Sequence, residues 1–130
     1  MEYEKDFDDW NEVKKSIEKL QYRPHFREKE IWWCCVGINI GSEQDGKGKG
    51  YMRPVLIIKK TSHRTFVGIS ITKTLREDSG HIAFYFKYDL HTMIINQIRN
   101  YDSKRLKNKM GTISNYLFYK TKKTTIRFLN

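Results

Sequence analysis

From residue 31 onward the chain runs in short apolar stretches rich in β-branched and aromatic side chains, over residues 31–36, 54–58, 66–72, 82–88 and 92–95. Side chains branched at Cβ fit a pleated sheet better than a helix, and stretches this short, bounded by turn residues, predict strands. Gly- and Lys-rich turns separate them by about 8 to 15 residues, a spacing that suits a small antiparallel barrel or closely curved sheet more than a βαβ array. At 130 residues the chain is long enough for one hydrophobic core and too short for two.

The two ends read differently. Phe7, Trp10, Val13, Ile17 and Leu20 recur at three- and four-residue steps, with Asp6, Asp8 and Asp9 ahead and Lys14, Lys15 and Lys19 behind. That pattern predicts an amphipathic helix whose charges complement its dipole, closed off before Pro24. It reads as a packed extension rather than a dedicated binding helix. At the other end a short strand is expected near residues 107–113. Ser114 then caps a last helix running to about Phe128, against which Thr121, Thr124 and Thr125 argue weakly. The expected organisation is a helical extension over residues 1–27 followed by one mainly β (α+β) domain over residues 28–130.

Charge narrows the partners. Lys and Arg number 25 against 15 Asp and Glu, a formal net charge of +10, which sets up a field attractive to RNA, DNA or an acidic protein. No apolar run approaches the ~18 to 20 residues that cross a bilayer, and the acidic start Met1-Glu2-Tyr3-Glu4 is unlike a signal peptide, so a cytoplasmic protein without membrane contact is expected. The only cysteines, Cys34 and Cys35, are adjacent and read as reduced, partly buried strand residues. His25, His63, His81 and His91 are scattered without ligand spacing, so neither a metal nor a cofactor is expected.

Residues 41–50, Gly-Ser-Glu-Gln-Asp-Gly-Lys-Gly-Lys-Gly, suggest flexible backbone beside an anion. Gly41, Gly46 and Lys47 satisfy most of a P-loop pattern. However, Gly48 stands where the magnesium-holding Ser or Thr would be, and a strand rather than a helix follows, so the P-loop reading fails. Around this loop, Glu30-Ile31-Trp32-Trp33, the series from Ile38 to Lys47, Arg53-Pro54-Val55-Leu56 and Gln97-Ile98-Arg99 follow in an order and spacing that resembles the PemK/MazF toxins, over about residues 30–114.

The resemblance implies a compact SH3-like antiparallel β-barrel of the PemK/MazF/CcdB type, here with an extra N-terminal helix and a C-terminal helix. It also implies side-by-side homodimers and cleavage of single-stranded RNA at short sequences in a groove at or near the dimer interface. By the same resemblance Arg53 matches the family's catalytic arginine, Thr72 its active-site threonine and Glu43 an acidic position needed in some members, while Gln44 and Gln97 match groove positions. This chain carries a longer stretch, residues 45–52, ahead of Arg53 than the shortest family loops.

The chemistry suits these residue types. Metal-free RNA cleavage uses the ribose 2′-hydroxyl as nucleophile, and the enzyme must take its proton, stabilise an anionic phosphorane and protonate the leaving oxygen. Arg53 offers a planar, permanently charged donor fork for two phosphate oxygens, Thr72 a hydroxyl at a strand end, and Glu43 a base if its surroundings raise its pKa. The leaving-group acid stays open between Arg53, His63 and water. Lys47, Lys49, Lys59, Lys60, Lys73 and Arg76 are candidates for the groove mouth, where they would add salt-dependent affinity; His63 could add a phosphate contact. Phe66, Tyr51 and Trp33 are candidate base-stacking platforms, with core packing the alternative.

The expected function is that of a type II toxin: a metal-independent endoribonuclease that cuts mRNA to a 2′,3′-cyclic phosphate and a 5′-hydroxyl and is restrained by an acidic antitoxin. The alternatives are a CcdB-like inhibitor of DNA gyrase, which shares the barrel but has no need of Arg53 and Thr72, and a non-catalytic relative that binds only RNA or antitoxin.

Overall fold

The structure, a computed structural model, describes residues 4–75 and 78–130. Helix α1 (Phe7–Glu18) is followed by strands β1 (Glu30–Cys35), β2 (Met52–Lys60), β3 (Thr65–Thr72), β4 (His81–Phe86), β5 (Asp89–Ile94), β6 (Arg99–Asp102) and β7 (Leu106–Thr112), and by helix α2 (Asn115–Leu129). Short 3-10 turns at Ile95–Gln97 and Ser103–Arg105 flank β6. The strands form one antiparallel seven-stranded sheet in the order β4-β5-β3-β2-β1-β7, with β6 paired to β3. The sheet is not closed by hydrogen bonds. It curls like a barrel until Phe86 of one edge strand packs on Gly111 of the other, where a Cβ would lie 2.7 Å from the Phe86 ring.

The strands expected from sequence all form, and so does the tail: Ser114 caps α2, its hydroxyl accepting from Leu117 N at 3.1 Å. The threonines, poor helix formers by propensity, satisfy their hydroxyls within this helix, Thr121 and Thr125 each bonding the carbonyl four residues back at 2.8 Å. Strand β6 has no counterpart among the strands expected from sequence. Its sequence, Arg-Asn-Tyr-Asp, shows one apolar side chain, and only Tyr101 points into the core.

Central strand β2 is buried on both faces, which explains its unbroken apolar run. Leu56 and Ile58 join a cluster with Ile31, Ile69, Ile71, Met93 and Phe118 of α2. Val55 and Ile57 face the other way, into a cluster with Phe26, Trp32, Cys34, Phe66 and Tyr101. Both cysteines are wholly buried and unbridged rather than partly buried, and burial pushes both thiols up.

A third, smaller cluster holds α1 against the sheet: Trp10 and Ile17 pack on Cys35 and Ile38. The Trp10 ring occupies the space a side chain at Gly37 would need and meets Tyr51 edge-on at 5.6 Å. Asp6 caps the helix, accepting from Asp9 N at 2.9 Å. Just ahead of it, Lys5 reaches the β1–β2 loop, where its ammonium bonds the carbonyls of Asn39 and, at 3.0 Å, Gly41, and pairs with Asp45 at 3.1 Å. Among the described residues no helix is long and apolar enough to cross a membrane.

Two predictions follow from these contacts. Glu30 is a buried carboxylate at the start of β1. Burial opposes its charge, but bonds from Trp32 Nε1 at 3.0 Å, Lys109 at 2.9 Å and Arg27 N at 2.8 Å outweigh that and hold its pKa below the ordinary value. A lowered folded-state pKa contributes stability present above the unfolded value and lost as pH falls through the folded one. Glu30→Ala should therefore cost about 1–3 kcal/mol in denaturant unfolding at pH 7, with the gap to wild type narrowing below about pH 4. Lys5→Met should raise amide exchange in residues 39–45 about tenfold, measured by mass spectrometry, while global stability changes by less than about 0.5 kcal/mol.

Candidate active site

Arg53 is the second residue of β2 and Thr72 ends β3. The register that pairs Val55 with Ser70 and Leu56 with Ile69 sets Arg53 opposite Thr72, two residues beyond the last of those pairs. Both line a cleft of about 500 Å³ whose other walls include Ser42, Gln44, His81 and Gln97. They also border an adjoining, more apolar lobe of about 590 Å³ with Trp33, Phe86, His91 and Met110.

The Arg53 guanidinium is held from behind. Its Nε donates to the Asp45 carbonyl. The Gln44 amide oxygen, in the orientation its surroundings require, accepts from Nε at 2.6 Å and from Nη2. Among the described residues Nη1 has no partner, so its two N–H donors are left for a ligand. Burial lowers the Arg53 pKa, with the Asp45 carboxylate opposing, and a guanidinium so placed stays charged at neutral pH. The Thr72 hydroxyl accepts from Thr74 N at 3.2 Å, which leaves its own proton free to donate.

The loop carrying these carbonyls is shaped by glycine. Gly46 lies so close to the Tyr51 carbonyl that a Cβ would sit 1.7 Å from it, and Gly46 N donates to the Gly37 carbonyl at 2.8 Å. Gln97 then clamps the loop, accepting from Gln44 N at 2.7 Å and donating to the Ser42 carbonyl at 3.1 Å. Asp45, which the sequence left unmarked, accepts from Asn39 N at 2.7 Å and is the anchor for Lys5.

Of the residues singled out in the sequence, Arg53, Thr72, Gln44, Gln97 and Lys47 meet at this cleft, and Lys73 borders the apolar lobe, 3.8 Å from Asp89. Glu43 does not join them. It is exposed, its carboxylate accepts from Ile40 N at 2.8 Å, and it lines a neighbouring cavity with Asn39 and Arg99. Lys49 is exposed in the β1–β2 loop and is not among the residues lining the cleft or its lobe.

His63 corrects an expectation. It lies in the β2–β3 turn at the opposite end of the hairpin, about 25 Å away at ~3.3 Å per strand residue. Lys59 and Lys60 share that far end, where the Lys60 ammonium rests 4.5 Å from the Phe26 ring centroid. Adjacency in sequence to a strand could not say which of its ends faced the cleft. Arg76 lies outside the described residues. Of the three candidate stacking aromatics, Phe66 is core and Tyr51 packs on Trp10, leaving Trp33, 39% exposed, at the lobe. His81, given no role in the sequence, lines the cleft itself.

No curated protein matches the sequence significantly. Among solved structures, MazF from Deinococcus radiodurans superposes with a TM-score of 0.64 at 14% identity, covering 84% of this chain and 98% of that one. An endoribonuclease in complex with its cognate antitoxin, from a mycobacterial species, superposes with a TM-score of 0.61 at 14% identity, covering 81% of this chain and 95% of that one. At such identity these likenesses show a shared fold. The family described as PemK-like, MazF-like toxin of type II toxin-antitoxin system matches residues 27–129, everything after the N-terminal helix and its linker, and the chain belongs to that family.

Proposed function

We propose that this toxin is a metal-independent endoribonuclease that cuts single-stranded RNA, mRNA included, in the cytoplasm and so arrests translation and growth. The observation that carries the reading is the cleft arrangement. A permanently charged guanidinium, braced by Asp45 and Gln44 with Nη1 left over, stands opposite a strand-end hydroxyl with a proton to give. Those donors suit the oxygens of a phosphodiester, and they gain most when those oxygens take on charge in the phosphorane. The net charge of +10 supplies a field that draws RNA in, and Trp33 offers a face for an unstacked base.

An acidic, partly disordered antitoxin tail would be drawn by the same charge and would inhibit by occupying the cleft. That reading is supported by the neighbouring fold solved as an endoribonuclease with its cognate antitoxin. Two copies side by side, as homodimers, would extend the groove for a longer RNA.

The test is cleavage of a long single-stranded RNA with mapping of the cut ends. Wild type should cut equally with and without EDTA, leaving 2′,3′-cyclic phosphate and 5′-hydroxyl ends. Arg53→Ala should lose about 10²–10³-fold in rate, and Thr72→Ala about tenfold or more. Arg53→Lys should fare little better than alanine, because a single ammonium cannot replace the fork. Absence of cleavage by wild type would sink the reading and leave gyrase inhibition or pure binding to be tested.

A further inference from the structure

His81 opens β4, and its side chain is only 8% exposed, yet it lines the same cleft as Arg53 and Thr72. Its Nδ1 is hydrogen bonded to Asp78 Oδ1. The same carboxylate oxygen accepts from Gly80 N at 3.0 Å, and His81 N donates to the Asp78 carbonyl at 3.1 Å, so the turn fixes both members of the pair. Nε2 has no partner among the described residues, and it is not sealed into the core as a stranded polar atom. With the Nδ1 proton committed to a carboxylate, the ring is held in the tautomer whose Nε2 lone pair accepts. A carboxylate-oriented imidazole beside an arginine and a hydroxyl is an arrangement that moves protons, not one that packing requires.

We propose that His81 is the general base of RNA cleavage and that Asp78 is its positioning residue, an assignment that rests on the ribonuclease reading. Nε2 takes the proton of the ribose 2′-hydroxyl as the 2′-oxygen bonds to phosphorus. The bond between phosphorus and the 5′-oxygen breaks, and the 5′-oxygen leaves with a proton from a water molecule in the open cleft. The imidazolium then returns its proton to the hydroxide so formed, and the products are a 2′,3′-cyclic phosphate and a 5′-hydroxyl. Arg53 Nη1 and the Thr72 hydroxyl hold the phosphoryl oxygens throughout.

The rivals for this role are worse placed. Glu43 spends its carboxylate on Ile40 N and faces the neighbouring cavity. His91 is buried beside Phe84 and Phe86, with ring centroids at 5.7 and 6.3 Å, in the apolar lobe. Among the described residues, the charged groups at His81 are Asp78 from its own turn and, lining the same cleft, Arg53 from β2 and Lys47 from the β1–β2 loop.

The deciding experiment is single-turnover cleavage of a single-stranded RNA from about pH 5 to pH 9 by wild type, H81A, H81N, D78N, D78E, R53A and H25Q, with RNA affinity measured alongside. His25 lies in the exposed linker, and H25Q should cut like wild type. H81A should be about 10²–10⁴-fold slower, with affinity within about threefold, and should lose the acid-side fall in rate that protonation of the imidazole causes. Added imidazole should restore part of its activity. H81N keeps an amide to donate to Asp78 but has no base, so it should be equally slow even if H81A folds poorly. D78N should lose about tenfold in rate with RNA affinity within about threefold of wild type, and D78E, which keeps a carboxylate for Nδ1, should recover part of that loss. If wild type cuts, R53A does not, and H81N cuts within about threefold of wild type with the acid limb intact, the assignment to His81 is overturned and the ribonuclease reading survives. If wild type cuts no RNA, the ribonuclease reading falls and takes this assignment with it.

Discussion

The pairing of β2 with β3 governs the rest of the molecule. Side chains of β2 alternate between two cores, Leu56 and Ile58 into one, Val55 and Ile57 into the other, so a slip of one residue would exchange every contact on both faces. That double burial locks the register in which Val55 meets Ser70, and the same register puts Arg53 and Thr72 opposite each other where the strands emerge. The bulge between Ile57 and Lys59 twists the far half of the hairpin, with His63 at its tip, without disturbing the cleft end. The positions of Arg53 and Thr72 are borrowed from the core, because both residues stand at the ends of its best-packed strands.

The loop ahead of Arg53 would otherwise be the loosest part of the site, being rich in glycine. It is instead tied from two directions: Gln97 clamps Ser42 and Gln44 from the sheet side, and Lys5 clamps Asn39, Gly41 and Asp45 from the α1 side. The N-terminal helix lies outside the region matched to the family, yet it packs beneath this loop through Trp10 and Gly37. Its contribution is felt through the Asp45 carbonyl that braces the Arg53 guanidinium.

Much of this was legible in the sequence because it rests on local rules. The β-branched runs gave β1 to β5, Asp6 and Ser114 were legible as helix caps, and the ordered motifs around Arg53 pointed to the family. What escaped was set by contacts distant in sequence. Strand β6 has one buried side chain and forms because β3 has a free edge beside it. Lys5 meets Asp45 forty positions away, and nothing near either residue announces the pair. His63 and His81 looked alike as isolated histidines next to strands. Only the direction of the hairpin sends one away from the cleft, and only the turn at Asp78 sends the other into it. The Asp-x-x-His spacing there was the one local signal that could have marked it.

The proposed ribonuclease activity requires a scissile phosphate between the Arg53 guanidinium and the Thr72 hydroxyl. The most direct measurement is a crystal structure of the protein with a single-stranded RNA whose cleavage-site ribose lacks its 2′-hydroxyl, so that the strand binds intact. The account predicts one phosphate bonded to Arg53 Nη1 and Thr72 Oγ1, with the flanking bases running towards Trp33 and the Gln44–Gln97 wall. A strand bound elsewhere, with this cleft left to solvent, would contradict it.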